Sequence, residues 1–309
     1  MGSRTDTQMD RSGVLLHFDD EAAFAARLAQ AAGLTPQLVA RHRFPDGELR
    51  LQLPARLPAR VVVLRGLQQP DEKLTELLLA AQTARTLGAQ HLTLVAPYLA
   101  YMRQDMAFAP GQAVSQRIVG AFLAGLFDAL FTLDPHLHRV ATLHEAVPLA
   151  DARALSGAPV LGQWVARTVA RPLLVGPDSE SAAWVTQAAA AHGFEHAVCS
   201  KLRSGDRQVL VRLPEVAVAG RAVVLIDDVA SSGHTLAEAA RALLDAGAAS
   251  VDVAVTHALF AGDALAVVQA AGVRHIWSTD AIAHPSNAVS VVPALAGALA
   301  GMQPQDRLA

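Results

Sequence analysis

The chain has 309 residues, long enough for two domains with separate cores. Hydrophobic residues make up 52% of it and charged residues 17%, a globular composition that excludes a largely disordered protein. The net charge of −3 shows no excess of basic residues of the kind that binds nucleic acid. The sequence contains no apolar run of about 18 residues, so no membrane span is predicted. Cys199 is the only cysteine, which excludes an intrachain disulfide and fits a reducing compartment. We therefore expect a cytoplasmic protein that binds neither nucleic acid nor membranes.

Short β-branched runs alternate with longer stretches rich in alanine and leucine along the first half of the chain. Within residues 71–87, for example, Leu74, Leu77, Leu78 and Ala81 fall on one face of a helix. The predicted order is strand 61–64, helix 71–87, strand 91–96, helix 112–127 and strand 129–133. Alternation of this kind predicts parallel strands joined by helical crossovers, with helices on both faces of a sheet.

The second half repeats the scheme. Strands are predicted at 173–176, 222–226 and 250–257, and helices at 179–192 and 235–246. Residues 60–96 and 221–255 also resemble each other, because each range has the order strand, crossover helix, Gly-Ala turn, strand. We predict an α/β fold of two similar domains, each a mostly parallel sheet flanked by helices. The predicted ranges are a disordered polar tail at 1–12, an N-terminal domain at 13–155 and a C-terminal domain at 156–309.

The segment 223–236 combines an apolar strand, the acidic pair Asp227-Asp228, a loop of small residues and a helix. The carboxyl end of a parallel strand is where α/β sheets bind ligands. A loop that opens a helix presents unpaired N–H groups, which suit a phosphate. The two acids suit sugar hydroxyls or a metal-bound water beside that phosphate. The plainer alternative is that the acids only solvate a strand end and Ser-Ser-Gly is an ordinary turn.

This segment resembles the phosphoribosyl pyrophosphate loop shared by type I phosphoribosyltransferases and ribose-phosphate diphosphokinases. In that family the paired acids hold the ribose 2- and 3-hydroxyls and the loop holds the 5-phosphate. Ser231 stands where many members have an acid, and His234 where glycine is usual. The resemblance implies a ribose-phosphate site made of Asp227, Asp228, Ser231, Ser232, Gly233, His234 and Thr235.

Two earlier segments resemble the diphosphokinases and not ordinary transferases. The run Arg43-Phe-Pro-Asp-Gly-Glu48 is similar to the family's ATP-site loop, although Pro-Asp-Gly alone is a strong turn signal. The run 97–105 is similar to the family's Pro-Tyr-x-x-Tyr-x-Arg-Gln-Asp, which offers a forked arginine to the triphosphate. The implied ATP-binding residues are Phe44, Asp46, Glu48, Arg103, Gln104 and Asp105. In the family Phe44 stacks on adenine of a nucleotide bound by a neighbouring subunit, which implies self-association into at least a dimer.

The resemblance also supplies metal-binding and catalytic residues. His136 in Asp-x-His and Asp178 in Pro-Asp correspond to the family's Mg²⁺ ligands, and Lys201 and Arg203 to its catalytic Lys-x-Arg loop. Lys201 and Arg203 alternate, so in an extended segment they share one face. We interpret His138 as a surface or packing residue, since its spacing matches no standard zinc pattern. Glu180 is atypical at its position.

Taken in order, these motifs imply a ribose-phosphate diphosphokinase that makes phosphoribosyl pyrophosphate and AMP from MgATP and ribose 5-phosphate. Residues 108–115 resemble the shorter, archaeal-type members. Three alternatives remain open: a phosphoribosyltransferase with a base as acceptor, a non-catalytic regulatory homologue of a synthetase, and a related phosphorylated pentose as the substrate.

Overall fold

The computed structural model describes residues 13–204 and 208–301, and for 201–204 and 208–211 the backbone alone. The described residues form two compact units. The first unit comprises 13–132, 142–153 and 292–301, and the second comprises 133–141 and 154–291. The predicted tail at 1–12 lies outside the described residues. Within the described ranges no helix is both long and apolar enough to cross a membrane.

The first unit is built on a six-stranded sheet in the order β2-β1-β5-β6-β7-β8. Neighbouring strands from β2 to β7 pair in parallel. An antiparallel hairpin of β3 and β4 stands apart from this sheet. The strands are β1 (Val14–His17), β2 (Thr35–Leu38), β3 (Ala40–Arg43), β4 (Leu49–Gln52), β5 (Arg60–Leu64), β6 (His91–Ala96), β7 (Ala129–Leu133) and β8 (Asp151–Leu155), and the helices are α1 (Ala22–Ala32), α2 (Pro70–Thr86), α3 (Ser115–Ala124) and α4 (Leu143–Ala146).

The second unit has a six-stranded, all-parallel sheet in the order β10-β9-β13-β14-β15-β16. A separate antiparallel hairpin joins β11 and β12. The strands are β9 (Leu173–Gly176), β10 (His196–Val198), β11 (Ser200–Ser204), β12 (Gln208–Arg212), β13 (Ala222–Ala230), β14 (Ser250–Ala258), β15 (Ile276–Thr279) and β16 (Asn287–Val289). The helices are α5 (Ala158–Thr168), α6 (Ala182–Ala190), α7 (His234–Asp245) and α8 (Ala264–Ala270), and the chain continues into α9 (Val292–Ala300).

Strand β13 shows why the apolar runs of this sequence are continuous rather than alternating. Val223 and Leu225 pack in the core formed with α7 and α8. Val224 and Ile226 pack on the other face, in the core formed with α5 and α6. Because helices cover both faces, the four consecutive apolar residues 223–226 are all buried, as expected for a parallel sheet. The predicted α/β class with two similar, mostly parallel sheets is confirmed.

Several predicted elements differ from the structure at their ends. The helix predicted at 112–127 spans only Ser115–Ala124, because 108–112 form a turn in which the Gln112 side chain accepts from the backbone N–H groups of Phe108 and Ala109. The helix predicted at 179–192 begins as a single 3₁₀ turn, Ser179–Ser181, before α6. The strand predicted to stop at residue 226 continues to Ala230, because β14 keeps pairing with it.

The two units differ from the predicted domain ranges, 13–155 and 156–309, at two segments. Helix α9 packs against α1, so the C-terminal helix joins the first unit. Residues 133–141 join the second unit, where Asp134 Oδ2 accepts from Thr256 Oγ1 at 2.6 Å and from Gly157 N at 2.9 Å. Both differences arise from contacts between residues that are far apart in the chain. The predicted domains were continuous ranges, so neither could include such a distant segment.

Candidate active site

The acidic pair of the second unit lies within β13 and not after it. Asp227 pairs with Val255 of β14, and the Asp228 N–H donates to Asp227 Oδ1 at 3.0 Å. The two carboxyl groups also interact directly with each other through a side-chain hydrogen bond. Asp228 is 2% exposed. The sheet itself therefore holds both acids rigidly, which a flexible loop could not do.

Different surroundings separate the pKa values of these two acids. Desolvation raises the pKa of Asp227 well above its usual range, and the negative charges of Asp228 and Asp178 raise it further. Burial also works to raise the pKa of Asp228, but the hydrogen bond with His136 and the charge of that ring lower it overall. His136 Nδ1 lies 2.8 Å from Asp228 Oδ2. Asp228 is therefore the carboxylate that stays charged, while Asp227 holds its proton more readily.

The predicted phosphate loop is the turn between β13 and α7. Gly233 precedes the helix with φ +75°, a left-handed conformation that favours glycine. A Cβ atom on Gly233 would lie 2.8 Å from the carbonyl oxygen of Ala264. Ser232 and His234 are exposed, and Ser231 and Thr235 half-buried. The first N–H groups of α7 thus open beside the acidic pair, which is the arrangement expected to bind an anion.

Asp178 lies just beyond the end of β9. It is 8% exposed, and its Oδ1 accepts from the backbone N–H of Glu180 at 3.0 Å. Carboxylate oxygens are the ligands that Mg²⁺ prefers, and a divalent cation would offset the negative charges that raise the pKa of Asp227. Asp178 therefore offers carboxylate oxygens of the kind that a divalent metal ion binds, on the side of the site that faces the charge of Asp227.

His136 lies close to two further side chains that can bind a metal ion, those of His138 and Glu180. Ligand atoms of His136, His138 and Glu180 all lie within 4.8 Å of one another. Sequence reasoning interpreted His138 as a surface or packing residue and Glu180 merely as atypical, so it missed this cluster. The His-x-His spacing was the signal available in the sequence. Glu180 offered none, because it is distant along the chain.

The predicted ATP-site loop lies in the first unit, at the tip of the β3–β4 hairpin. Phe44 is exposed, and its N–H and carbonyl close the turn with Glu48 and Gly47. Asp46 Oδ1 accepts from the Glu48 N–H at 3.1 Å. The hairpin is tied to α2 by an ion pair of 2.7 Å between Arg43 and Glu72. Phe44, Asp46 and Glu48 therefore project from one exposed tip.

The other predicted ATP-binding segment follows β6 in the same unit. Arg103 is exposed, whereas Asp105 is 8% exposed. Gln104 connects the segment to α3, because its Oε1 accepts from Ser115 Oγ at 2.8 Å. The Tyr101 hydroxyl of this segment also donates to Asp71 of α2, the helix that holds the β3–β4 hairpin through Glu72. Helix α2 therefore contacts both predicted halves of the nucleotide site.

Lys201 and Arg203 lie on β11, opposite Val211 and Val209 of β12. The extended conformation expected for this segment is present, and the two residues occupy alternate positions. Their side chains lie outside the described part of the structure.

Both halves of the chain match known families. Residues 14–126 match the N-terminal domain of ribose phosphate pyrophosphokinase, and residues 142–270 match the phosphoribosyl transferase domain. A protein of Methanopyrus kandleri named ribose-phosphate pyrophosphokinase is 35% identical over 290 residues, covering 93% of this chain and 98% of its own. The chain belongs to the ribose-phosphate pyrophosphokinase family.

Other members of the ribose-phosphate pyrophosphokinase family support the same assignment. The proteins of that name from Methanosarcina mazei and Halobacterium salinarum are each 34% identical, and cover 90% and 93% of this chain and 92% and 100% of their own. The crystal structure of phosphoribosylpyrophosphate synthetase from Mycobacterium smegmatis superposes with a TM-score of 0.80 at 21% identity, covering 94% of this chain and 98% of that one. At that identity the likeness supports the fold alone.

Proposed function

We infer that this chain is a ribose-phosphate pyrophosphokinase that transfers the diphosphoryl group of MgATP to the 1-hydroxyl of ribose 5-phosphate. The observation that carries this inference is the acidic pair of β13 beside the opening of α7, in a chain whose relatives of that name match over about nine-tenths of its length. The site offers carboxylates for sugar hydroxyls and backbone N–H groups for a phosphate.

On the sugar side, the N–H groups of the α7 start would bind the 5-phosphate, together with the hydroxyls of Ser231, Ser232 and Thr235. Asp227 and Asp228 would accept from the 2- and 3-hydroxyls. The lowered pKa of Asp228 favours this role, because a carboxylate that remains charged accepts stronger hydrogen bonds. His234 begins α7 and is exposed, so its side chain leaves the N–H groups accessible.

On the metal side, His136 and Asp178 are the proposed ligands of Mg²⁺. When bound, Mg²⁺ would neutralise charge on the phosphate oxygens of both substrates. Asp228 fixes the orientation of the His136 ring, as partners of metal-binding histidines commonly do.

On the nucleotide side, Phe44, Asp46 and Glu48 would contact the adenosine portion, and Arg103, Gln104 and Asp105 the phosphates. The exposed hairpin tip supports our proposal that the first group serves a nucleotide bound by a second copy of the chain, so that the enzyme is at least a dimer. ATP is a cytoplasmic metabolite, which supports a cytoplasmic enzyme.

The proposed reaction is an in-line displacement. The 1-hydroxyl oxygen of the sugar attacks the β-phosphorus of ATP, the bond from that phosphorus to the α,β-bridging oxygen breaks, AMP leaves, and the hydroxyl proton is released. Lys201 and Arg203 would stabilise the charge that develops on the transferred group. Positioning and electrostatics supply most of the acceleration in chemistry of this kind.

The decisive experiment incubates the purified chain with ribose 5-phosphate, ATP and Mg²⁺ and identifies the products. We expect AMP and phosphoribosyl pyrophosphate in equal amounts. Pyrophosphate release that requires a nucleobase would show a phosphoribosyltransferase instead. Formation of neither AMP nor pyrophosphate would favour the non-catalytic homologue. Turnover only with ribose 1,5-bisphosphate, which has no free 1-hydroxyl, would replace both the proposed substrate and the diphosphoryl transfer.

A further inference from the structure

The strongest unassigned feature is the group of side chains around His136. His138 Nε2 contacts His136 Nε2 closely, and the two ring centroids are 3.8 Å apart. Glu180 Oε2 lies 3.5 Å from His138 Nε2. Two imidazole nitrogens and a carboxylate oxygen therefore converge on one small region of the second unit.

Hydrogen bonding orients the donors of this cluster. His136 Nδ1 faces Asp228, so Nε2 is the ring nitrogen that faces His138 and is available to a metal ion. The backbone of Glu180 is fixed by the side chain of Asp178, which accepts from its N–H. His136 and Glu180 are thus each held by a carboxylate that lies outside the cluster.

We propose that His136, His138 and Glu180 bind a borderline divalent transition metal ion, such as Co²⁺ or Zn²⁺. This deepens the proposed function, on which it rests for the role of a metal in catalysis. Because His136 is also a proposed ligand of Mg²⁺, the transition metal ion would take the place of Mg²⁺ at this histidine. Mg²⁺ prefers oxygen ligands in octahedral geometry, whereas imidazole suits the later first-row ions. Two histidines and a glutamate are a ligand set of catalytic zinc sites, which leave a position open for a water or substrate oxygen.

The accessibility of the cluster agrees with this assignment. The side chains of His136 and His138 are 19% and 23% exposed, and that of Glu180 is 57% exposed. An ion can therefore enter from solvent. A divalent cation would also bring positive charge next to the carboxyl groups of Glu180 and Asp228, which favours binding.

The test titrates the metal-free, full-length protein with Co²⁺, without nucleotide or sugar phosphate, and records the visible absorption of the ion. We expect one Co²⁺ per chain with intense d–d bands. His138→Gln and Glu180→Gln should each weaken Co²⁺ binding by roughly tenfold or more, the scale of losses seen even when outer-shell partners are removed. Excess Mg²⁺ should not displace Co²⁺ from the wild type.

Two matched variants control for general effects of the substitutions. His196→Gln and Glu238→Gln change exposed residues of the same unit, outside the cluster, and should leave the Co²⁺ titration unchanged. Thermal melts in chelator establish that each variant is folded, and Co²⁺ should raise the melting temperature of the wild type but not of His138→Gln.

The proposal is overturned if the wild type shows no Co²⁺ absorption, or if either cluster variant binds Co²⁺ as the wild type does. Because the titration contains no substrates, its outcome does not depend on the reaction catalysed. Formation of AMP with Mg²⁺ alone would uphold the proposed function even if Co²⁺ failed to bind.

Discussion

At the scale of single residues, neighbouring groups give the two adjacent acids of β13 different pKa values. His136 compensates the charge of Asp228, whereas Asp227 meets the negative charges of Asp228 and Asp178. Such separation of pKa values is typical of functional sites, where stability is given up for binding.

We expect opposite effects when each acid is replaced by its amide at pH 7 in metal-free protein. Asp227→Asn should stabilise the fold, on the order of 1 kcal/mol, because it removes a repelled charge. Asp228→Asn should destabilise it by a similar amount, because His136 loses its charged partner. Chemical denaturation measures both, and both variants should lose affinity for ribose 5-phosphate. Equal destabilisation by the two changes would contradict this account.

The pH dependence of stability follows from the raised pKa of Asp227. The folded chain binds that proton more tightly than the unfolded chain, so the contribution to stability is full below the ordinary carboxyl pKa and is lost as pH rises through the raised value. Denaturation of the wild type and of Asp227→Asn across this window should show the loss in the wild type only.

At the scale of elements, the connection between β13 and α7 determines where a phosphate can bind. Its geometry depends on Gly233, since a side chain there meets both an unfavourable φ and the backbone of α8. The helix that follows is amphipathic and well packed, with Leu236, Ala240 and Leu243 buried. A rigid helix thereby supports a turn that has no room for a side chain.

Gly233→Ala should therefore damage both stability and sugar-phosphate binding. We expect a loss of more than about 1 kcal/mol of unfolding free energy and a raised KM for ribose 5-phosphate. Gly247→Ala is the matched control, because Gly247 also has positive φ, +88°, but a Cβ there would make only ordinary contact, 3.5 Å from Ala219 Cβ. The control should lose stability and keep its KM, whereas a normal KM in Gly233→Ala would exclude the turn from phosphate binding.

The β11–β12 hairpin carries the proposed catalytic cations. Lys201→Ala and Arg203→Ala should each lower kcat by roughly 100-fold or more, the cost of losing one transition-state donor, without weakening ATP binding. Arg212→Ala removes an exposed cation from the same hairpin, where its ion pair with Glu215 is 3.5 Å long, and should leave kcat unchanged. Equilibrium ATP binding and steady-state kinetics separate the two effects. Full turnover in the double variant Lys201→Ala, Arg203→Ala would show that the hairpin takes no part in catalysis.

At the scale of the whole molecule, the chain returns to its first unit after completing the second. Helix α9 packs against α1, and Arg153 donates to the carbonyl of Ala298 at 3.2 Å. Both termini of the described chain therefore belong to the unit that contains the proposed ATP-binding residues.

Leu295→Ala should accordingly loosen the first unit. Leu295 is fully buried in α9, and its truncation should cost roughly 2–5 kcal/mol. Hydrogen exchange should accelerate in α1 more than in α7. Leu243→Ala, a fully buried leucine of α7, is the matched control and should give the reverse pattern. Faster exchange in α7 on changing Leu295 would place α9 energetically with the second unit.

The sequence by itself determined the fold class, the alternation of strands and crossovers and the family. Strands 91–96, 129–133 and 173–176 were predicted to the residue, because helices cover both sheet faces and leave continuous apolar runs with sharp ends. The acidic pair and the phosphate turn are neighbours in the sequence, so their proximity could be predicted without the structure.

Only the tertiary structure decided what depends on distant parts of the chain. It extended β13 through Asp227 and Asp228 by pairing with β14, moved α9 to the first unit, and brought Glu180 to His136 and His138. Sequence patterns report which face of an element is buried, but not which other element lies against it. The side chains that distinguish this site from a generic phosphate site are therefore those that the sequence alone could not bring together.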